Sequence, residues 1–339
     1  MISTTNATNA VLMVRASRFA MNEETAVDNH YQMQDTSLSA VEVQSQALKE
    51  FDEMVNTLRA VGVNVYVIQD ELEPFTPDSI FPNNWISMHS QGSVITYPMK
   101  AENRRLERRG DIVEKLREWG FMVNNYHDFS SYENQGQILE GTGSLIFDHD
   151  SLVVYMARSQ RADEQLLHKL LVDTKLDYSP VLFSAFMTAT VKASKDSDVS
   201  ATNAPKRDLI YHTNVMMCMT DKYAVICLDA IDSLEERTAV VEAIKSSGKG
   251  ILEITEGQKH NFAGNMLLVK GVSVLDPDVP QLYLVMSACA RSALTTENIT
   301  FIEDHGHQIV SSPIPTIETL GGGSARCMLA EIYLPRIDK

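Results

Sequence analysis

Short apolar runs alternate along the chain with longer segments in which apolar residues recur every three or four positions. The short runs are rich in Val, Ile, Leu and Tyr, which is typical of β-strands. In the longer segments, such as Ser45–Val61, the apolar residues would share one face of a helix. The alternation predicts an α/β or α+β protein. The predicted strands are Ala10–Val14, Val63–Ile68, Trp85–Met88, Val94–Tyr97, Ser144–Phe147, Leu152–Met156, Val215–Met219, Ala224–Leu228, Met266–Val269, Leu282–Ser287 and Met328–Leu334. The predicted helices are Ser45–Val61, Arg104–Trp119, Gln160–Leu171 and Ser233–Ser247.

A pair of apolar strands joined by a polar turn recurs at intervals of about 60 residues. Copies lie at 82–97, 141–156, 212–228 and 263–287, with a partial copy at 324–334. The residues just before each first strand are Asn84, Gly143, Asn214, Asn265 and Cys327. We therefore predict a single domain, 1–339, of five radially arranged units whose turns converge on one ligand site. A polar stretch in the longest interval, 193–208, is predicted to be an inserted surface loop. The alternative is an ordinary α/β protein that forms hairpins at intervals.

Charge and hydropathy exclude several functions. The 339 residues include 29 Lys and Arg against 45 Asp and Glu, a net charge of −16. This balance argues against sequence-independent binding to nucleic acid or to anionic membranes, and an anionic substrate would need a local basic pocket. No apolar run approaches the ~20 residues that span a bilayer. Because no basic region precedes the apolar stretch near the N-terminus, we expect no signal peptide and a cytoplasmic location.

The four cysteines fall into two groups. Without an export signal they are expected to be free thiols. Cys218, Cys227 and Cys289 lie in apolar runs and are predicted to be small buried core residues. Cys327 instead follows three glycines and Arg326, a neighbour that could stabilise a thiolate. The structural alternative is a buried thiol after an ordinary glycine-rich turn.

A thiol nucleophile needs a proton-transfer partner. His212 is the candidate because it lies in the same kind of turn as Cys327, and histidine exchanges its proton near neutral pH. Glu140, in a matching turn, would orient His212 or accept a hydrogen bond from a substrate nitrogen; the alternative is a turn-capping carboxylate. Arg104 is a candidate anion contact, or part of a solvated helix face. No cluster has zinc spacing and no glycine-rich turn completes a dinucleotide or phosphate motif, so no cofactor is predicted.

Four motifs together resemble the guanidine-modifying enzymes, a superfamily that includes arginine deiminases, dimethylargininases and amidinotransferases. They are Asp-Ser-Ile-Phe-Pro-Asn-Asn (78–84), Glu-Gly-Thr-Gly (140–143), His-Thr-Asn (212–214) and Gly-Gly-Gly-Ser-Ala-Arg-Cys-Met (321–328). Segments 13–32 and 260–266 are similar to one branch, the citrulline-utilisation hydrolases often labelled amidinotransferases, and the resemblance covers about residues 10–335. It implies a five-bladed α/β-propeller (pentein) with pseudo-fivefold ββαβ-type repeats. It also implies a small-molecule amino-acid substrate and no metal, and a homodimer is compatible with it.

The resemblance also assigns roles to residues. Cys327 corresponds to the family nucleophile, His212 to its general acid and base, and Glu140 to the carboxylate of its Glu-Gly-Gly turn. Asp78 corresponds to an acidic substrate contact in dimethylargininases.

Two arginines correspond to residues that hold the substrate α-carboxylate. Arg161, in Ser-Gln-Arg (159–161), matches the first of them. Arg104 matches the second, and the register between Arg104 and Arg105 is open.

Two departures from arginine deiminases bear on the substrate. Those enzymes carry aspartates where this chain has Asn84 and Asn214, and a pair of carboxylates suits a cationic guanidinium. Asparagine offers a donor and an acceptor without charge, which suits a neutral ureido group, and its NH₂ could stabilise an oxyanion. We therefore predict a cysteine hydrolase that cleaves the ureido C–N bond of citrulline through an S-carbamoyl enzyme, giving ornithine, carbon dioxide and ammonia.

Two alternatives stay open at this point. One is a guanidine-modifying enzyme (arginine deiminase, dimethylargininase or amidinotransferase) that uses Asp78 and Glu140. The other is a non-catalytic pentein that binds an amino acid or a protein partner.

Overall fold

Strands and helices alternate along residues 6–34, 37–188 and 207–337, the parts of the chain that the computed structural model describes. The strands are β1 (Ala10–Arg15), β2 (Asn64–Gln69), β3 (Ile86–His89), β4 (Ser93–Thr96), β5 (Asn125–Asp128), β6 (Ile146–Asp148), β7 (Val153–Ala157), β8 (Ser179–Phe183), β9 (Phe186–Thr188), β10 (Arg207–Leu209), β11 (Met217–Met219), β12 (Tyr223–Ile226), β13 (Gly250–Glu253), β14 (Leu267–Val272), β15 (Pro280–Ser287), β16 (His307–Ser312) and β17 (Ala330–Glu331). The helices are α1 (Ala40–Ala60), α2 (Glu102–Arg105), α3 (Ile112–Glu118), α4 (Gly141–Ser144), α5 (Glu164–Thr174), α6 (Leu234–Ser246), α7 (Glu256–His260), α8 (Ala288–Ala293), α9 (Thr296–Asp304) and α10 (Pro315–Gly321). The α/β fold predicted from the sequence is confirmed.

Within these described ranges, five three-stranded sheets share one pattern: an antiparallel pair, followed by a helical connection to a third strand that pairs in parallel with the middle one. Four of them are continuous in sequence, namely β3-β4-β5, β6-β7-β8, β11-β12-β13 and β14-β15-β16. The remaining one joins the two ends of the chain, because β17 pairs antiparallel with β1 while β2 pairs parallel with it. Strands β9 and β10 form a separate antiparallel pair.

Neighbouring sheets also touch one another in turn. A bridge from Ile332 to Met88 links the terminal sheet to β3, and a bridge from Thr8 to Val269 links its other side to β14. Helix α4, which precedes β6, packs on β3, while β11 contacts both β6 and β14. These contacts bring together the turns that precede the first strand of each sheet.

Helix α1 shows how the sequence specifies a typical element. Ser39 caps its N-terminus in a reciprocal hydrogen-bonded pair with Glu42, which satisfies donors that a helix start leaves free. The side chains of Phe51, Met54 and Leu58 then recur on one face and are fully buried. This face packs against β16 and α10, the helix that leads into the glycine-rich turn before Cys327.

Two predictions about local structure differ from what is observed. The helix predicted over Arg104–Trp119 is two helices, α2 and α3, because Gly110 is a poor helix former and Arg108 leaves the helical path to pair with Glu133 at 2.8 Å. Cys289 is exposed, so its predicted burial is wrong, whereas Cys218 and Cys227 are buried.

The predicted surface loop 193–208 lies outside the described residues up to position 206, and its last two residues begin β10. In the described ranges, none of the helices combines the length and apolarity needed to cross a membrane.

The buried face of α1 gives a stability prediction. Phe51→Ala removes a ring that is fully enclosed, and we expect it to lower the free energy of unfolding by about 3–5 kcal/mol. Val41→Ala on the same helix is the matched control, because Val41 is 78% exposed and its loss should change stability by less than about 0.5 kcal/mol. Urea denaturation followed by circular dichroism measures both, and equal effects would contradict the packing described.

Candidate active site

A narrow cavity of about 20 Å³ lies where the turns of several sheets meet. This volume accommodates about one water molecule. Its walls combine two segments that carry the proposed reactive groups, the turn at His212 and the turn at Cys327, with side chains from the N-terminal segment and from the turn before β3. The lining residues are Thr25, Asn29, Asp78, Phe81, Asn84, Arg104, Arg161, Tyr211, His212, Gly321, Gly322, Gly323 and Cys327.

Cys327 sits in a 3₁₀ turn, Ala325–Met328, directly after the glycine run. Gly322 has a φ of +63°, the left-handed region that favours glycine, and a Cβ there would lie 2.5 Å from Asn29. The sulfur of Cys327 accepts hydrogen bonds from two side-chain amides, Asn214 Nδ2 at 3.5 Å and Asn265 Nδ2 at 3.3 Å. The turn therefore presents a buried sulfur to amide donors.

Arg326 does not serve the sulfur as the sequence suggested. Its guanidinium donates to the carbonyl of Leu329 at 2.8 Å and pairs with Glu331 at 2.9 Å. Successive residues of the turn point to different sides, so the charge of Arg326 is neutralised in a second cavity, which it lines together with Glu331.

His212 is held by a buried carboxylate. Its Nε2 lies 2.8 Å from Oε2 of Glu140, which also accepts from Arg161 Nη1 at 3.3 Å. The other oxygen of Glu140 accepts the backbone N–H of Lys100 at 2.9 Å. Burial raises the pKa of Glu140, but the charge of Arg161 and the hydrogen bond from His212 outweigh it and hold that pKa well below its usual range.

The same contacts fix the protonation of His212. Burial lowers the pKa of this imidazole below its ordinary value, with Glu140 opposing the shift. The ring is therefore neutral at neutral pH. Because the ionised carboxylate accepts the Nε2 proton, Nδ1 carries the lone pair and is the atom able to accept a proton.

A second buried network surrounds Arg104. Its Nε and Nη2 pair with Glu107 at 2.9 and 3.0 Å, and its Nη1 donates to Oδ1 of Asn84 at 2.7 Å. Since a guanidinium can only donate, Asn84 must turn its oxygen toward Arg104 and keep its NH₂ for another partner. In the described part of the chain, neither Asn84 Nδ2 nor Oδ1 of Asp78 has a hydrogen-bond partner.

The two arginines of the open register, Arg104 and Arg105, differ in position. Arg105 donates to the backbone carbonyls of Met99 and Lys100, whereas Arg104 lines the cavity. However, the guanidinium of Arg104 already donates most of its hydrogen bonds to protein groups. It therefore orients the side chain of Asn84 more directly than it contacts a ligand.

Arg161 also lines the cavity, and its guanidinium is occupied. The carboxylate of Asp28 pairs with its Nη2 and, at 3.3 Å, with its Nε, while Tyr211 lies under the guanidinium with its ring centroid 5.1 Å from Cζ. Lys100 Nζ contacts the same carboxylate at 2.5 Å. These cations hold the pKa of Asp28 below its usual range despite burial. The group predicted to bind a substrate carboxylate thus binds a carboxylate of the protein itself.

Sequence reasoning missed three residues of this site. Asn265 had a usable signal, because it occupies the aligned position shared by Asn214 and Cys327. Asp28 and Glu107 had no signal in the sequence that distinguishes them from the many other acidic residues, since only the fold brings them next to the buried arginines.

Comparison with known proteins bears on what the site does. The profile of the family described as "N,N dimethylarginine dimethylhydrolase, eukaryotic" matches residues 15–334. Among curated proteins, no sequence is similar enough to match this chain.

Several solved structures share the fold. The cyanobacterial arginine dihydrolase ArgZ is 15% identical with a TM-score of 0.65, over 96% of this chain and 41% of that one, so this chain spans about two fifths of the length of ArgZ. A variant of the N-terminal domain of ArgZ, covalently bound to a reaction intermediate, is 14% identical with a TM-score of 0.66, over 97% of this chain and 98% of that domain. A dimethylarginine dimethylaminohydrolase variant in an adduct with S-methyl-L-thiocitrulline is 14% identical with a TM-score of 0.57, over 95% and 98%.

The family profile and the shared α/β fold define the class: a C–N hydrolase of the guanidine-modifying pentein superfamily, as the sequence motifs predicted. The chain belongs to the N,N dimethylarginine dimethylhydrolase family.

Gly143 gives a test of the site's geometry. A Cβ at this position would lie 2.4 Å from Asn84 Nδ2 and 2.9 Å from Nδ1 of His212, so Gly143→Ala must displace one of them. We expect C–N hydrolase activity to fall about 100-fold, since small displacements of reacting groups have effects of this size. Gly110→Ala is the control, because a Cβ there meets no atom within 4 Å. Full activity in the Gly143 variant, with the fold verified by circular dichroism, would refute the arrangement.

Glu140 gives a pH prediction. A carboxyl with a depressed pKa stabilises the fold above the unfolded value, near 4.3, and this contribution is lost as pH falls below it. Wild type should therefore exceed Glu140→Gln in unfolding free energy at pH 7 by about 3 kcal/mol, and the difference should shrink between about pH 5 and pH 3. Urea denaturation across this range tests it. The exposed Glu235→Gln should show no such convergence, and a constant Glu140 difference would contradict the prediction.

Proposed function

We propose that the protein hydrolyses the guanidino C–N bond of an arginine-type amino acid, with Cys327 as nucleophile and His212 as general acid and base. The observation that carries this proposal is that Cys327, His212 and Asp78 line one cavity, with an oxygen of Asp78 left without a partner in the described structure. Oδ2 of Asp78 already lies 3.7 Å from Nε of Arg104, but the free oxygen beside a nucleophile and a base suits a cationic group. Burial raises the pKa of this carboxyl, and a bound cation would offset that shift.

The chemistry follows from the protonation states. Nδ1 of His212 takes the thiol proton of Cys327, and the thiolate attacks the guanidino carbon. The tetrahedral intermediate then breaks a C–N bond, and the amine leaves with the proton from His212. A thiouronium remains on the sulfur. Water gives a proton to His212 and its oxygen attacks the same carbon. The C–S bond then breaks, the hydroxyl proton is lost to solvent, and a ureido product leaves. His212 returns its proton to the Cys327 thiolate, which restores the starting state.

The guanidino substrate is better supported than citrulline, which the two asparagines had suggested. The chain belongs to a family described by dimethylarginine hydrolysis, and the similar structures include an arginine dihydrolase and a complex of AgrE with L-arginine (14% identical, TM-score 0.61, over 97% of this chain and 40% of that one). The acidic side chain that lines the cavity is Asp78, and a cationic group is attracted to it.

A ureido substrate such as citrulline is the second candidate, on one specific observation. Arg104 turns the NH₂ of Asn84 away from itself, and this donor needs an acceptor that a guanidinium does not have. A ureido oxygen would satisfy it.

We assign binding of the substrate α-carboxylate to Arg161. On binding, this carboxylate takes the place of the Asp28 carboxylate at the guanidinium. Both groups are carboxylates, and the guanidinium offers a matched two-pronged contact to either. A cavity of about 20 Å³ is also too small for an amino acid, so binding displaces part of the wall that the segment around Asp28 forms.

The finer architecture belongs to the same proposal. Five sheets of one pattern, each touching two others, are what a single five-bladed α/β-propeller domain of ββαβ-type repeats requires. In such a ring, reactive residues from distant repeats meet at the axis.

Trapping the covalent intermediate tests the function. Purified protein is quenched during turnover of arginine, N,N-dimethylarginine or citrulline, and the peptide containing Cys327 is analysed by mass spectrometry. We expect an amidino adduct with a guanidino substrate, together with a ureido product. His212→Ala should abolish product formation, because neither proton transfer remains.

Cys327→Ala is the control and should carry no adduct. A carbamoyl adduct formed from citrulline, with no turnover of either guanidino compound, would replace the main proposal by the second candidate. Absence of turnover with all three compounds would refute both.

A further inference from the structure

We propose that Asn265 acts directly on the nucleophile: its side-chain amide holds the sulfur of Cys327 and donates a hydrogen bond that favours the thiolate. The proposal rests on Cys327 being the nucleophile of the proposed function, but on no particular substrate.

The amide of Asn265 can be oriented in only one way. Its Oδ1 lies 3.0 Å from the backbone nitrogen of Arg326, whose N–H can only donate. Nδ2 therefore faces the other side, where it donates to the backbone carbonyl of Asn214 at 2.9 Å and to Sγ of Cys327 at 3.3 Å. The orientation of the amide is thus fixed by the backbone groups of Arg326 and Asn214, and it places a donor against the sulfur whatever the protonation state of Cys327.

This orientation favours one protonation state of Cys327. A thiolate accepts the N–H bond more strongly than a thiol, since hydrogen bonds to ionised acceptors are the stronger ones. The thiol form makes only a weak bond of its own to this side chain, from Sγ to Oδ1 of Asn265 at 3.7 Å, and that oxygen also accepts from Arg326. Asn265 is fully buried, so water does not compete for its donors.

Asn265 also organises the second donor. By binding the carbonyl of Asn214 it fixes the backbone from which the Asn214 amide reaches the sulfur at 3.5 Å. One side chain thus ties together the turn of the nucleophile and the turn that follows His212. A merely structural asparagine would tie the turns without affecting the charge of the sulfur, which separates the two roles experimentally.

The test is a pH titration of the thiolate by its ultraviolet absorbance, taken as the difference between each protein and its Cys327→Ala counterpart. In Asn265→Asp one oxygen still accepts from Arg326 while the other faces the sulfur, so the donor is lost with almost no change in shape but a carboxylate is added. The neutral Asn265→Ala loses the donor without adding that charge. We expect the midpoint to rise by about one pH unit or more, a tenfold smaller thiolate fraction at neutral pH, and Asn265→Ala to shift it in the same direction. The titratable groups that line the cavity with the sulfur stay unchanged: Asp78, Arg104, Arg161, Tyr211 and His212.

Asn6→Asp is the matched control. The amide of Asn6 is buried and has the same pattern, with Oδ1 accepting the backbone N–H of His149 and Nδ2 donating to Thr220 and Asp148, but it lies at the other cavity. Its substitution should leave the midpoint of Cys327 unchanged. An unshifted midpoint in Asn265→Ala, or an equal shift in Asn6→Asp, overturns the proposal.

Two further readouts keep the result unambiguous. Circular dichroism verifies the fold of each variant, and if Asn265→Ala does not fold, the neutral Asn265→Leu, which is similar in size and also lacks the donor, takes its place. Failure of wild type to turn over any substrate refutes the proposed function but leaves the titration intact, whereas arginine turnover together with an unshifted midpoint refutes only the role of Asn265.

Discussion

The site depends on one buried negative charge, the carboxylate of Glu140. It lies in the turn that begins α4, before β6, and binds His212 from the turn before β11, Arg161 from the segment between β7 and α5, and the backbone of Lys100 from the segment after β4. A buried carboxylate is tolerated only when paired, and loss of one partner of such a pair costs roughly 3–5 kcal/mol. The same charge therefore holds three segments together and keeps the imidazole in the tautomer that leaves Nδ1 free.

Around the sulfur the protein uses amides where carboxylates would also fit sterically. Asn214 gives its NH₂ to Cys327, so its lack of charge is explained by the nucleophile and needs no neutral substrate. A carboxylate at that distance would oppose a thiolate by direct repulsion. This weakens the inference that the two asparagines indicate a citrulline substrate, since one of them already binds a group of the protein itself.

The sequence predicted the parts of the fold that are buried and the parts of the site that lie in turns. The hairpin strands are apolar because both faces are covered, whereas the third strands β5 and β13 are half-exposed and carry no apolar run, so none was predicted there. Cys327, His212 and Glu140 were singled out because each lies in the recurring turn that precedes a hairpin strand. Asp28 was not, because its role depends on a contact 133 residues away along the chain.

The ion pair between Asp28 and Arg161 bears on how a ligand enters the cavity. The guanidinium of Arg161 is balanced between Glu140, which it must keep ionised, and Asp28, which it can release. In the proposed exchange, an amino-acid ligand gives Arg161 another carboxylate, so the arginine does not become an unpaired buried cation, whose cost would oppose binding. Since Asp28 is only partly buried and can be solvated when displaced, the exchange replaces one ion pair by another. The acidic chain thereby keeps a basic pocket that is always neutralised, first by its own residue and then by its ligand.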